Sequence, residues 1–103
     1  MTILNTVLGN SAAANIFVSS GTSAITTIHL CNTTGATITA NLYLVTAGNI
    51  AGANNAIYTN LSITAQNTYI IYAEKFILSN DDTIRANASA GSAITATVSS
   101  IGI

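Results

Sequence analysis

Apolar and hydroxyl- or amide-bearing residues alternate along much of this chain with a period of two. In "AITTIHLCN", Thr26, Ile28 and Leu30 fall on one face and Thr27, His29 and Cys31 on the other. In "ATITANLYLV", Ile38, Ala40, Leu42 and Leu44 alternate with Thr37, Thr39, Asn41, Tyr43 and Val45. "DTIRANAS" sets Ile84, Ala86 and Ala88 against Thr83, Arg85, Asn87 and Ser89, and "SAITATVSS" sets Ile94, Ala96 and Val98 against Thr95, Thr97 and Ser99. This spacing predicts strands with one dry face and one wet face. Helix formers that carry charge are nearly absent, whereas Thr, Ile and Val favour a pleated, half-buried surface.

The pattern predicts about seven strands, near residues 13–18, 24–31, 37–45, 57–63, 68–74, 82–88 and 94–100. "NTTG" (32–35) is expected to close a hairpin with Gly35 at positive φ, and "SAGS" (89–92) another through Gly91. "SNDD" (79–82) is rich in residues that bond their own backbone and begin turns. "TAGNIAGANNA" (46–56) is the longest expected loop. Strands at 8–12-residue spacing imply an all-β chain forming one antiparallel β-sandwich, immunoglobulin-like or jelly-roll-like, or a small barrel. Residues 1–14 read as an N-terminal strand or an arm packing on another subunit, and residues 15–103 as the sandwich domain. No proline is present to blunt an edge strand.

Charge changes the picture. Only 5% of the 103 residues are charged, against about 25% in ordinary domains. All five (Glu74, Lys75, Asp81, Asp82 and Arg85) lie within residues 73–89. A folded chain of this mass exposes roughly 5,400 Å², so Thr, Ser and Asn must solvate most of it. The net charge of −1 gives no pull toward nucleic acid or anionic membranes and little colloidal repulsion. Mean hydropathy is +0.55, yet no run approaches the ~20 apolar residues of a spanning helix, and aromatics at 6% are too few for a barrel's girdles. The N-terminal residues lack a basic n-region and a long apolar stretch, so no secretory signal is expected. The single cysteine, Cys31, permits no internal disulfide and suits a reducing cytosol. The sequons at Asn32, Asn60 and Asn87 are what a chain this rich in Asn, Ser and Thr contains by chance.

Candidate chemistry is sparse. His29 and Cys31 share a strand face, but zinc needs two more ligands, and their Cα atoms are ~6–7 Å apart, too far for an obvious catalytic dyad. Asp81 and Asp82 could begin a calcium loop, yet "NDDT" lacks the further oxygens at EF-hand spacing. Adjacent acids cannot face each other across a glycosidase cleft. No catalytic residue, metal or cofactor is therefore expected. Glu74, Lys75, Asp81, Asp82 and Arg85 read either as a solvated face or as salt links fixing register with a partner. The tyrosines Tyr43, Tyr58, Tyr69 and Tyr72 suit ordinary strand packing or contacts to sugar or protein.

Two segments, "TTIHLCNTTGATITANLYLVTAG" and "YIIYAEKFILSNDDTIRANASAGSAITATVSSIGI", resemble small β-sandwich virion proteins of tailed bacteriophages. The first carries Leu30, Cys31, Asn32 and Gly35, then Leu42 to Val45. The second carries Leu78, Asp82, Ile84, Ala86, Ala88 and Ser89, then Thr95 to Ser99 and Ile101. Asp81 stands where the pattern has glycine. The resemblance spans roughly residues 20–103 and implies a place in a particle, not a reaction. The expectation is a non-enzymatic capsid decoration (cement) protein, made in the host bacterial cytoplasm and located in the virion. Its partners would be copies of itself, a trimer among the candidate assemblies, and other virion proteins such as the major capsid protein. The alternatives are a tail, collar or baseplate component, or a carbohydrate- or host-binding fibre module contacting its ligand through the 46–55 loop and the tyrosines.

Overall fold

Eight strands carry the chain: β1 (Thr2–Val7), β2 (Ala14–Val18), β3 (Ser23–Asn32), β4 (Ile38–Val45), β5 (Ala56–Ile63), β6 (Thr68–Leu78), β7 (Thr83–Ala88) and β8 (Ile94–Gly102). They come from a computed structural model that describes residues 2–10 and 13–102, with side chains at these positions other than 2 and 72–75. No helix occurs among the described residues. Two antiparallel four-stranded sheets face each other, in the orders β1-β8-β3-β6 and β2-β7-β4-β5. This is the strand order of a jelly roll. An immunoglobulin sandwich pairs several consecutive strands within one sheet, whereas here only β4 and β5 are consecutive and paired.

The expected hairpins at 32–35 and 89–92 are therefore not hairpins. Both segments are arches: β3 and β7 lie in different sheets from the strands that follow them, β4 and β8. The positive-φ glycines are Gly21 and Gly48, not Gly35 or Gly91, and in the second arch Ser92 takes the left-handed conformation (φ 59°). Turn chemistry marks where a strand stops but not whether the chain returns beside it or crosses to the other layer. The strand count rises from seven to eight because β1 pairs with β8 over six residues. β6 also runs on to Leu78, which places Glu74 and Lys75 inside a strand.

Alternation sets the core. Ile28 and Leu30 of β3, Ile38, Ala40 and Leu42 of β4, Ile84, Ala86 and Ala88 of β7, and Ile94, Ala96 and Val98 of β8 are buried between the sheets with Ile16 and Phe17. Thr26 departs from the expected dry face. A register shift between Ile25 and Thr27 lets Ile25 and Ile28 both point inward, and the Thr26 hydroxyl donates to the Ser99 carbonyl at 3.0 Å. That is the usual effect of a bulge, which re-aims one side chain. The accessible surface of 5379 Å² matches the value expected from mass alone.

Buried polar groups hold the two ends. At one end Asn32, fully buried, donates through Nδ2 to the carbonyls of Ala36 (2.7 Å) and Ile63 (2.9 Å). Its Oδ1 accepts from the Thr34 amide (2.9 Å) and hydroxyl (2.7 Å). At the other end the buried Ser19 hydroxyl donates to Gly21 O at 2.8 Å and lies 3.0 Å from Ser23 Oγ. The Ser19 backbone exchanges bonds with Asp81 and Asp82.

Candidate functional site

Two outer faces are available, and they differ. On the sheet β1-β8-β3-β6, cross-strand register aligns outward residues in rows. One row runs Asn5, Thr97, His29, Ile70; the next, Val7, Thr95, Cys31, Thr68; the third begins Ile3, Ser99, Thr27. No charged residue stands in these rows. The strands of this sheet also carry most of the exposed large apolar side chains: Ile3, Leu4 and Val7 on β1, Tyr69, Ile70 and Ile77 on β6, and Ile101 on β8. Among the described residues only Val18 and Ile50 lie elsewhere. Ordinary proteins leave apolar residues exposed singly; hydroxyl-rich rows without charge, edged by isoleucine and valine, make a surface suited to a neighbour.

The outer face of β2-β7-β4-β5 is more polar. Asn41 Nδ2 donates to Asn87 Oδ1 at 2.9 Å, and the Asn60 amide donates to Asn41 Oδ1 at 2.9 Å. Arg85 lies opposite Tyr43 on β4 and Asn15 on β2. Its Nε donates to Thr83 Oγ1 at 3.2 Å and its Nη2 to the Asn49 carbonyl at 3.4 Å. The guanidinium thus binds the sheet to the 46–55 loop. That loop is held by its own amides, with Asn55 Nδ2 donating to Ile50 O (2.8 Å) and Asn55 Oδ1 accepting from Gly52 N (2.9 Å). Asn49 Nδ2 also bonds Thr46 Oγ1. Ile50 projects from it, 78% exposed. Two concavities result: one of ≈ 620 Å³ within the loop, and one of ≈ 410 Å³ bounded by Ala13, Tyr43, Ile50, Ala51, Arg85 and Asn87.

The charged residues whose side chains are described, Asp81, Asp82 and Arg85, stand in different settings. Asp82 Oδ2 accepts from the Ser79 amide and Oδ1 from the Ala47 amide, each at 2.9 Å. It ties the β6–β7 arch to the start of the long loop, a structural task that sequence reading missed. Asp81 is exposed in the same arch, and Arg85 is on the opposite sheet's outer face. The side chains of Glu74 and Lys75 lie outside the described residues, as does that of Tyr72.

Of the other tyrosines, Tyr58 packs against the core and meets Tyr69 edge-to-face, with ring centroids 6.2 Å apart. Tyr43 alone lines the loop-side concavity. His29 and Cys31 share the outer face of β3 as the alternation predicts. Among the described residues, no cluster of three or more His, Cys, Asp or Glu is placed to hold a metal ion. Asn32 is a buried clamp, so its sequon is closed to modification in the folded chain. No family model, curated protein or solved structure matches this chain.

Proposed function

We propose that the protein is a non-enzymatic structural subunit of a tailed-phage particle, acting as a capsid decoration protein that packs against copies of itself and the shell beneath. The observation that carries this reading is the set of uncharged rows through Asn5, Val7 and Ile3 on the outer face of β1-β8-β3-β6, with Glu74 and Lys75 confined to the far part of β6. It combines threonine and serine rows with the exposed Ile3, Val7 and Ile70. Hydroxyls can bond across a seam at far lower desolvation cost than charges, and apolar residues between them supply the driving force for association. A lone subunit with this face and a net charge of −1 would have little to keep it apart from its neighbours. The resemblance of residues 20–103 to phage virion proteins supports the same reading, and jelly rolls are a fold that capsid proteins use, although fold alone assigns no function.

The test is a cryo-EM map of particles from cells producing the protein. Density for the sandwich at repeated positions on the shell, with the β1-β8-β3-β6 face turned toward protein, is the expected result. Particles that lack the chain altogether would remove the proposal.

A second reading rests on the concavity beside Tyr43. An aromatic ring, a guanidinium and an asparagine amide beneath a loop wall are groups that bind sugars, through ring stacking and paired hydroxyl bonds. Under this reading the subunit presents a glycan-binding site on the exterior of the particle. Glycan binding by wild type that Tyr43→Ala abolishes is the expected outcome, and silence of the wild type on a broad glycan array would discard it.

A further inference from the structure

The four edge strands are not equally protected. β2 is interrupted by a register shift between Asn15 and Phe17. β5 has two shifts against β4, and Asn60 within it sits at φ 54°. β6 loses register with β3 where its partner residues jump from Tyr72 to Phe76, and Glu74 and Lys75 lie in that interval. Bulges and charges are the standard means of keeping an edge from pairing with another chain. β1 has neither. It runs in unbroken register with β8 from Thr2 to Val7 and contains no charge and no proline.

The direction of its free backbone groups follows from the ladder. Leu8 N donates to Ile94 O at 2.8 Å, and Leu8 continues the same register opposite Ile94. The even-numbered residues therefore bond to β8. Ile3, Asn5 and Val7 turn their N–H and C=O groups to the open edge, because these alternate along an antiparallel strand. The same three residues project their side chains onto the neutral outer face, with Ile3 64% and Val7 58% exposed. The Thr97 hydroxyl holds Asn5 Oδ1 at 2.7 Å.

We infer that β1 pairs antiparallel with β1 of a second copy about a two-fold axis at Asn5, joining two four-stranded sheets into one of eight. This deepens the assembly reading and rests on it. In this register Asn5 faces Asn5 of the second copy and Ile3 faces Val7, so about six backbone hydrogen bonds form between strands. Odd residues meet odd residues, which keeps the neutral face on one side of the joined sheet. The strand is self-complementary, so one surface serves both partners, as a two-fold contact requires. Two six-residue strands bury less than the roughly 1,000 Å² of a stable isolated interface. Val18, exposed in the groove beside β1, adds apolar area. The contact is therefore reversible on dilution and strengthens where subunits are held close together.

The experiment is sedimentation velocity over a wide concentration range, with cysteine crosslinking in a Cys31→Ser background. Wild type should shift from monomer to dimer as concentration rises. Asn5→Pro removes an outward N–H and leaves the backbone bonds to β8 in place, losing only the exposed Thr97 hydroxyl bond to the Asn5 side chain. It should weaken the dimer by about tenfold or more, with its circular dichroism unchanged. Opposed Cα atoms would be about 5.5 Å apart, within disulfide reach. Asn5→Cys alone should therefore crosslink under mild oxidation. Ile3→Cys and Val7→Cys should crosslink only when mixed, which fixes the register even if the proline variant fails to fold. Oligomers that Asn5→Pro leaves intact, with no crosslink at position 5, would overturn the β1 contact while leaving assembly through another surface in place. A wild type that stays monomeric and uncrosslinked at every concentration also overturns it. Whether such a protein still copurifies with particles then separately decides the assembly reading.

Discussion

The Asn32 side-chain amide donates to the Ile63 carbonyl at 2.9 Å, joining the end of β3 in one sheet to the end of β5 in the other. Together with its bonds to Ala36 and Thr34, this makes one buried side chain the junction of two inter-sheet arches. Asn32→Ala should cost about 2–4 kcal/mol, because the buried Ile63 carbonyl is left without a partner and the part-buried bonds to Ala36 and Thr34 are lost with it. Asn32→Asp should cost at least as much, since a carboxylate would face the carbonyl oxygens that now accept from Nδ2. Urea denaturation midpoints check both; a loss below about 0.5 kcal/mol for Asn32→Ala, the range of an ordinary surface change, would contradict the role.

At the opposite end Asp82 accepts from Ser79 N and Ala47 N. Asp82→Ala removes both acceptors and should destabilise by about 1–3 kcal/mol, hydrogen bonds to a charged group being the stronger kind. Asp82→Asn keeps an acceptor for one amide and should fall between. Amide exchange at residues 46–49 should rise with the loss, since the start of the long loop is anchored there.

Asp81 occupies the left-handed region at φ 68°. Asp tolerates this better than most residues, and glycine adopts it freely. Asp81→Gly should leave stability unchanged or raise it by up to about 1 kcal/mol, while Asp81→Val should lower it by about 1–3 kcal/mol. Thermal melts of the two variants give the comparison.

The same position shows how far the sequence could be read. Alternation identified the dry faces of β8, of β7 from Ile84 and of β4 as far as Leu42, because a period of two needs no knowledge of neighbouring strands. Where β4 ends beside the start of β7 it failed, since Val45 and Thr83, expected on the wet faces, are buried and Leu44 only partly so. Threonine-rich wet faces and missing charge pointed to the neutral surface for the same reason. Sheet membership was not legible: "NTTG" and "SAGS" look alike whether a chain folds back beside its strand or arches to the other layer. The Ile25–Thr27 bulge is equally invisible in "AITTI", where the tertiary contacts to β6 and β8 set the local register. Charges close together in sequence, such as Asp82 and Arg85, ended in different settings because β7 carries Arg85 away from the arch and onto a sheet face.

Tyr43 and Tyr58 separate the two roles that tyrosine can play here. Tyr58→Ala should lower stability by about 2–4 kcal/mol, since Tyr58 packs on the core and against Tyr69. Tyr43→Ala should change the melting temperature little while altering any sugar binding at the loop-side concavity. Reversed sensitivities would show that the concavity is a packing feature and not a recognition site.

The central claim is that the uncharged rows through Asn5, Val7 and Ile3 on the β1-β8-β3-β6 sheet exist to be covered. The direct measurement is gradient sedimentation of purified particles from cells producing either wild type or the double variant Thr95→Lys, Ser99→Lys, which places two charges on that face. Both lysines would be solvated in the free subunit, so its fold should hold. Wild type should travel with the particles and the double variant should remain at the top of the gradient. Equal recovery of both proteins with the particles, or of neither, would contradict the account.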